Sequence, residues 1–205
     1  TDYVCPAYSI APVGTLDIFD TALQLVNIVS VYCPRKDTQI ISLGEYHGLA
    51  LDGHNSVWSW GSNGSGQLGN EHAASQHNNR PIPTKLFANI VSVAAGNRHS
   101  FALDDKGALW SWGDNNYGQL GDGTTNASTL PEQLSFNEYK LVAVAGGSRH
   151  SIALDEDGNV WSWGYNYYGQ LGRITSSSYH AIPTKIDSTA FDGAKIVTVA
   201  AKDDL

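Results

Sequence analysis

The sequence predicts an all-β fold made of repeated four-stranded antiparallel units. Three observations predict it: one motif is written three times within 205 residues, its apolar positions alternate with the period of a strand, and all six tryptophans fall at the same place in each copy. The second copy runs Gly96-Asn97-Arg98-His99-Ser100-Phe101-Ala102-Leu103, then Leu109-Trp110-Ser111-Trp112-Gly113, then Gly118-Gln119-Leu120-Gly121. The third repeats it from Gly147 to Gly172, and a more divergent first copy runs from Gly44 to Gly69. The repeat histidines, His47, His99 and His150, lie 52 and 51 residues apart. Self-similarity at that period marks a repeat architecture.

Each element has a local warrant. Ile90-Val91-Ser92-Val93-Ala94-Ala95 is a β-branched run, echoed by Leu141–Ala145 and Ile196–Ala200, and it reads as a strand. In His99–Leu103 the alternation puts His99, Phe101 and Leu103 on one face and Ser100 and Ala102 on the other. Asp104-Asp105-Lys106-Gly107 supplies turn chemistry, as do Asp52-Gly53-His54-Asn55 and Asp155-Glu156-Asp157-Gly158. Leu109-Trp110-Ser111-Trp112 returns as the next strand with both rings on one face. A fourth strand is expected near Pro83–Leu86 and Pro183–Ile186, where proline suits a strand start or an edge. No helical periodicity is found in the repeats.

Four antiparallel strands in about fifty residues is the make-up of a β-propeller blade. A Trp burying about 200 Å² at about 25 cal/mol/Å² contributes on the order of 5 kcal/mol before entropy is subtracted. One blade cannot bury such rings alone, so neighbouring blades must cover Trp58, Trp60, Trp110, Trp112, Trp161 and Trp163, with Ala102 and Ala153 allowing close approach. The expected organisation is a non-repeat segment over 1–26 and propeller repeats over 27–205. Blade copies lie near 40–90, 91–140 and 141–195, with flanking strands at 27–33 and 196–201.

The Gly-x-Arg-His-Ser element, the Trp-Ser-Trp-Gly-x-Asn-x-x-Gly-Gln-Leu-Gly element and the turn between them resemble the repeat of the regulator-of-chromosome-condensation family. The resemblance spans roughly residues 40 to 200 and implies a β-propeller, usually of seven blades. Three full copies and partial ones at each end fall short of such a ring. The expectation is therefore a segment of a longer protein or, second, an incomplete ring completed by other subunits. A partial propeller exposes blade faces and strand edges, which invites association.

Composition narrows the partners. The net charge is −8 and no basic run occurs, which disfavours nucleic acid. No apolar stretch approaches membrane-spanning length, so no membrane insertion is expected. Cys5 and Cys33 either form one bridge or remain two thiols. Asn63-Gly64-Ser65 and Asn126-Ala127-Ser128 match the glycosylation acceptor pattern, so Asn63 and Asn126 are candidate glycan sites. Together these lean toward a secreted or extracellular setting.

Repetition separates scaffold from site. His47, His99 and His150 recur in register and are read as structural, a ring nitrogen bonded to backbone, and not as a metal cluster. Asn63, Asn115 and Asn166 are read as holding a blade loop. Asp155–Asn159 lacks the bidentate Glu of a calcium loop, and Gly61–Gly66 lacks the Gly-Lys ending of a phosphate loop. His72, His77 and His180 lie between repeats without metal-ligand spacing. No metal, cofactor or catalytic constellation is implied.

Positions that vary between copies are the candidates for contact. Arg98 and Arg149 replace Tyr46 of the first copy and belong near a propeller face, meeting an acidic partner or a neighbouring blade's carboxylate. Asn116, Tyr117, Tyr165, Tyr167 and Tyr168 occupy one variable loop, where tyrosines give large contact area at modest entropy cost or pack on the adjacent blade. The leading functional expectation is a non-catalytic protein-interaction scaffold, whose partners are other proteins, copies of itself or the rest of a longer chain. Guanine-nucleotide exchange on a small GTPase follows by analogy with the family's founder. A structural subunit of an extracellular or filamentous assembly is the third option.

Overall fold

The computed structural model describes residues 41–71, 78–84, 89–136 and 139–202, with the backbone alone over 78–82. These residues lie within one compact unit, Gln39–Leu205. Cys5, Cys33, the 1–26 segment and the 27–33 strand fall outside them, as do His72 and His77.

Twelve strands form three four-stranded antiparallel sheets, the blades of a propeller. The first holds β1 (Ile41–Leu43), β2 (His47–Leu51), β3 (Val57–Gly61) and β4 (Asn78–Pro83). The second holds β5 (Ile90–Ala95), β6 (His99–Asp104), β7 (Leu109–Gly113) and β8 (Ser128–Leu134). The third holds β9 (Leu141–Gly146), β10 (His150–Asp155), β11 (Val160–Tyr165) and β12 (Tyr179–Lys185). Each sheet is a meander in chain order, because short turns join strands whose alternating pattern leaves two apolar faces to cover. The turn aspartates hold the central hairpins: Asp52 Oδ1 accepts the N–H groups of His54 and Ser56, and Asp155 Oδ1 those of Asp157 and Asn159. The Trp58 indole N–H, donating to Asp52 Oδ2 at 2.8 Å, is the largest of the contacts holding that carboxyl below its usual range.

The fourth strands begin earlier than the prolines suggested. In all three sheets the outer ladder shifts at the Ser-Trp-Gly step, between Ser59 and Gly61, Ser111 and Gly113, and Ser162 and Gly164. One residue of the third strand then faces three of the outer strand: Ser162 pairs with Thr184, and Gly164 with His180, leaving Trp163 opposite Ala181, Ile182 and Pro183. Pro81, Pro131 and Pro183 all fall inside that bulge, where no ladder bond needs the N–H that proline lacks.

The apolar core lies between sheets. Leu49, Leu51 and Val57 of the first sheet meet Ala102, Trp112 and the half-buried Trp110 of the second. Phe101, Leu103 and Leu109 of the second meet Ala153, Trp163 and the half-buried Trp161 of the third. Trp112 and Trp163 are wholly buried, whereas the first Trp of each pair keeps an accessible edge. The open side of the third sheet is covered by chain that follows it. Leu154, Val160 and Ile186 pack with Ile152, Phe191, Ile196 and Val199. Residues 196–201, the expected flanking strand, have no ladder partner among the described residues; just beyond them Lys202 O accepts the Ser148 N–H of the β9–β10 loop at 2.9 Å.

A polar node repeats beside each interface. Gln67 O accepts from Ser100 Oγ and from Trp112 Nε1, both at 2.8 Å, and Gln119 O accepts from Ser151 Oγ at 2.7 Å and Trp163 Nε1 at 2.8 Å. His47 Nε2 lies 2.8 Å from Ser100 Oγ and His99 Nε2 lies 3.1 Å from Ser151 Oγ. Each serine has one proton and gives it to a carbonyl, so the histidine Nε2 carries the N–H that reaches the serine. The Nε2 partner of His47 and His99 is thus the next blade's serine and not the backbone expected from the sequence.

Candidate protein-interaction face

The loop that precedes each repeat histidine and the loop that follows each Trp-Ser-Trp strand open on one face of the sheets. Backbone bonds clamp them together: Ser62 N–H to Tyr46 O at 2.8 Å, Asp114 N–H to Arg98 O at 2.8 Å and Tyr165 N–H to Arg149 O at 2.9 Å. With His47, His99 and His150 turned inward, strand alternation turns Tyr46, Arg98 and Arg149 outward. The variable loop is itself stiff. Asn63, Asn115 and Asn166 each accept, through Oδ1, the N–H of the following buried leucine, at 3.0, 3.0 and 2.9 Å. The Asn63 side chain is 1% exposed and its Nδ2 points to Asn70 Oδ1, so that position has no room for a glycan. Asn126 is exposed.

Guanidinium groups and phenol rings alternate across the face. Arg98 lies over Tyr46, its own counterpart in the first sheet, at 5.1 Å. Arg149 lies over Tyr117 at 5.2 Å and Tyr165 at 5.7 Å. Tyr117 meets Tyr165 at 4.8 Å, Tyr165 stacks with Tyr167 at 6.3 Å, and Tyr167 meets Tyr168 edge-on at 5.0 Å. Each exposed cation–π contact is worth about 0.5–1 kcal/mol, which biases a long Arg side chain toward one orientation. Both arginines thus sit over tyrosine rings. Tyr117 and Tyr165, on the equivalent loops of two blades, are half-buried against each other, while Tyr167 and Tyr168 are 68% and 64% exposed.

Between the two arginines lies a depression of about 350 Å³. Asn97 and Ser148 line it with Glu45 and Asp114 at its margins. Asn97 Nδ2 donates to the Glu45 carboxylate and to Ser148 Oγ. Asp114 accepts from Asn116 Nδ2 at 2.6 Å and Gln119 Nε2 at 2.9 Å. The arrangement offers planar donors, ring faces and carboxylates held by amide donors. Tyr46, Glu45 and Asp114 belong to it although the sequence did not single them out. Tyr46 was legible, as the residue standing where the later copies carry Arg. Among the described residues no group of three or more His, Cys, Asp or Glu side chains can hold a metal, and His180 lies in β12. No helix among them is long and apolar enough to cross a membrane.

Residues 20–205 match the RCC1-like domain. The chain belongs to the RCC1-like domain family. It is 38% identical over 154 residues to the rat probable E3 ubiquitin-protein ligase HERC4, covering 73% of this chain and 14% of HERC4. It is 32% identical over 181 residues to the Arabidopsis thaliana ultraviolet-B receptor UVR8, covering 88% of this chain and 38% of the receptor. Among solved structures, Prp20p of Saccharomyces cerevisiae superposes with a TM-score of 0.74 at 31% identity, over 81% of this chain and 42% of Prp20p. This RCC1-like chain therefore spans less than half the length of each of these relatives.

Proposed function

We propose that this RCC1-like chain is a non-catalytic protein-interaction module whose contact face is the arginine–tyrosine ribbon from Tyr46 to Tyr168. One observation carries the reading. The residues common to the copies are turned inward and consumed in stacking the blades, whereas those that differ are gathered on one face and held by ring and guanidinium contacts. Preorganised Tyr and Arg side chains are what interface centres are enriched in, because little entropy remains to be lost on binding. The partner is a protein with carboxylates and apolar side chains for Arg98, Arg149, Tyr167 and Tyr168. The test is calorimetric titration of a partner identified by cross-linking through this face. Replacing Arg149, Tyr167 and Tyr168 together by Ala should cost 2 kcal/mol or more, roughly a thirtyfold loss of affinity. Unchanged affinity in a folded variant refutes the assignment.

Guanine-nucleotide exchange on a small GTPase is the second reading. It is supported by likeness to Prp20p, whose structure is described with its binding to Gsp1p and histones. Accelerated nucleotide release from a GTPase panel would favour it over a purely scaffolding role, and no acceleration by the full-length protein removes it.

A further inference from the structure

We propose that the outer groove between the second and third sheets docks an extended, basic peptide segment of a partner protein. The groove lies on the rim of the blades, apart from the ribbon, and encloses about 480 Å³. Its floor is apolar and aromatic. Trp161 and Phe136 meet edge-on at 5.5 Å, Phe136 also meets Trp163 at 5.9 Å, and Tyr139 continues the row against Trp161 at 4.8 Å. The Trp161 indole N–H donates to Asp155 Oδ2 at 3.0 Å, which leaves the ring fixed with an edge still accessible. Ile182 comes from the β12 bulge. That bulge points it away from any ladder neighbour and into the groove wall, where it stays 65% exposed.

The charge of the groove chooses the occupant. Asp122 and Glu132 are the charged side chains that line it, both exposed, and neither makes an ion pair among the described residues. Asp122 accepts from Thr124 and Asn115, and Ser128 Oγ shares its one proton between Leu130 O at 2.8 Å and Glu132 Oε1 at 2.9 Å, so neutral donors orient both carboxylates. A chain of net charge −8 adds a field of the same sign. Lys106 belongs to the adjoining depression beyond Phe136 and Lys185 faces Trp161 across the β11–β12 ladder, so the basic residues of a bound segment belong at the Asp122–Glu132 end. The segment is extended because the groove runs beside β8, which among the described residues has β7 as its ladder partner and meets Glu71 N–H on its other edge at Thr129 O. An added strand can use the open edge past Pro131, with alternate side chains entering the groove.

Fluorescein-labelled heptapeptides titrated against the full chain by anisotropy test this. One alternates valine with arginine, a second replaces the arginines with glutamate, and a third replaces the valines with glycine. The valine–arginine peptide should bind saturably and weaken with added salt. The other two should bind at least about tenfold more weakly. Glu132→Lys and Ile182→Ser should each weaken the first peptide by about tenfold, and Glu132→Gln by less, while Tyr167→Ala leaves it unchanged. Thermal melts select the variants that remain folded. The proposal is overturned if the three peptides bind alike or not at all, or if the folded groove variants bind as the parent does. It is also overturned if Tyr167→Ala abolishes binding, or if sedimentation shows a dimer that Ile182→Ser converts to monomer, which assigns the groove to a second copy. Loss of the ribbon's partner by the alanine variants above would leave these outcomes untouched.

Discussion

At the scale of single residues, the node beside each interface joins four groups from two blades through one carbonyl. Gln119 O takes both Ser151 Oγ and Trp163 Nε1, and Ser151 Oγ in turn takes the proton of His99 Nε2. Ser151→Ala removes a donor from a buried carbonyl and the partner of a buried ring. It should cost about 1–3 kcal/mol by urea denaturation. Trp163→Phe removes the other donor to the same oxygen, so the double variant should depart from additivity by about 0.5 kcal/mol or more. Strict additivity would show that the shared carbonyl does not couple them. The same geometry sets a pH response. Burial, then the neighbouring His47 and His150, push His99 down to about 3, with its Nδ1 buried and unpartnered. Burial pushes His47 down to about 4, partly opposed by the Asn97 backbone. An unfolded imidazole takes its proton near pH 6.5, so below that pH the unfolded chain binds more protons than the folded one. Stability present above about pH 6.5 is therefore lost as pH falls toward about 4, each ring reducing the folding equilibrium by about tenfold per pH unit. Urea midpoints between about pH 7 and about pH 4.5, above the carboxylate range, check the sign. A flat profile means that these rings are solvated or charged in the fold.

At the scale of elements, equivalent positions measure what a neighbouring blade contributes. Gly118 and Gly169 open the same loop with φ of +73° and +82°. A Cβ on Gly118 would lie 2.5 Å from the Ala181 backbone of the next sheet, whereas one on Gly169 meets nothing within 4 Å. Both alanine variants carry the left-handed penalty of about 1–2 kcal/mol, but only Gly118→Ala also forces two sheets apart. Its loss in thermal stability should exceed that of Gly169→Ala, and equal losses would mean that the sheets yield at no cost. This comparison also shows what the sequence can and cannot carry. The hairpins were legible because their signals are local: alternation, an Asp turn and a Trp pair within a few residues of one another. The outer strands were placed too late because three bulge residues, a proline among them, have no ladder partner, so no continuous alternating run marks where the strand begins. The nodes were half legible. Repetition marked His99 and Trp163 as scaffold, but their partners Ser151 and Gln119 lie 52 and 44 residues away, and nothing local names them. On the face, Arg98 and the tyrosine loop stood out because they vary between copies. That Arg98 rests on Tyr46 is a product of sheet stacking alone.

At the scale of the whole array, blades support one another only through their faces, so each blade's stability depends on what covers it. The second sheet is packed on both sides by sheets, through Trp110 and Trp112 on one side and Phe101 and Leu103 on the other. Among the described residues the third has a sheet on one side only, and its other face is closed by Phe191, Ile196 and Val199, which have no ladder partner there. Backbone amides of β6 and β7 should therefore exchange more slowly than those of β10 and β11, because opening the third sheet disrupts one interface and opening the second disrupts two. The covering segment sets that difference. Val199→Asp places a charge against Leu154 and Val160 and should speed exchange across β10 and β11 by an order of magnitude or more, about 1.4 kcal/mol, while β6 and β7 change less. Val197, two residues earlier, is 82% exposed, so Val197→Asp should leave every sheet as it was. Amide exchange followed by mass spectrometry on the two variants separates the alternatives. If Val199→Asp accelerates all three sheets equally, the blades open as one unit. If it accelerates none, the third sheet does not depend on that segment for its cover.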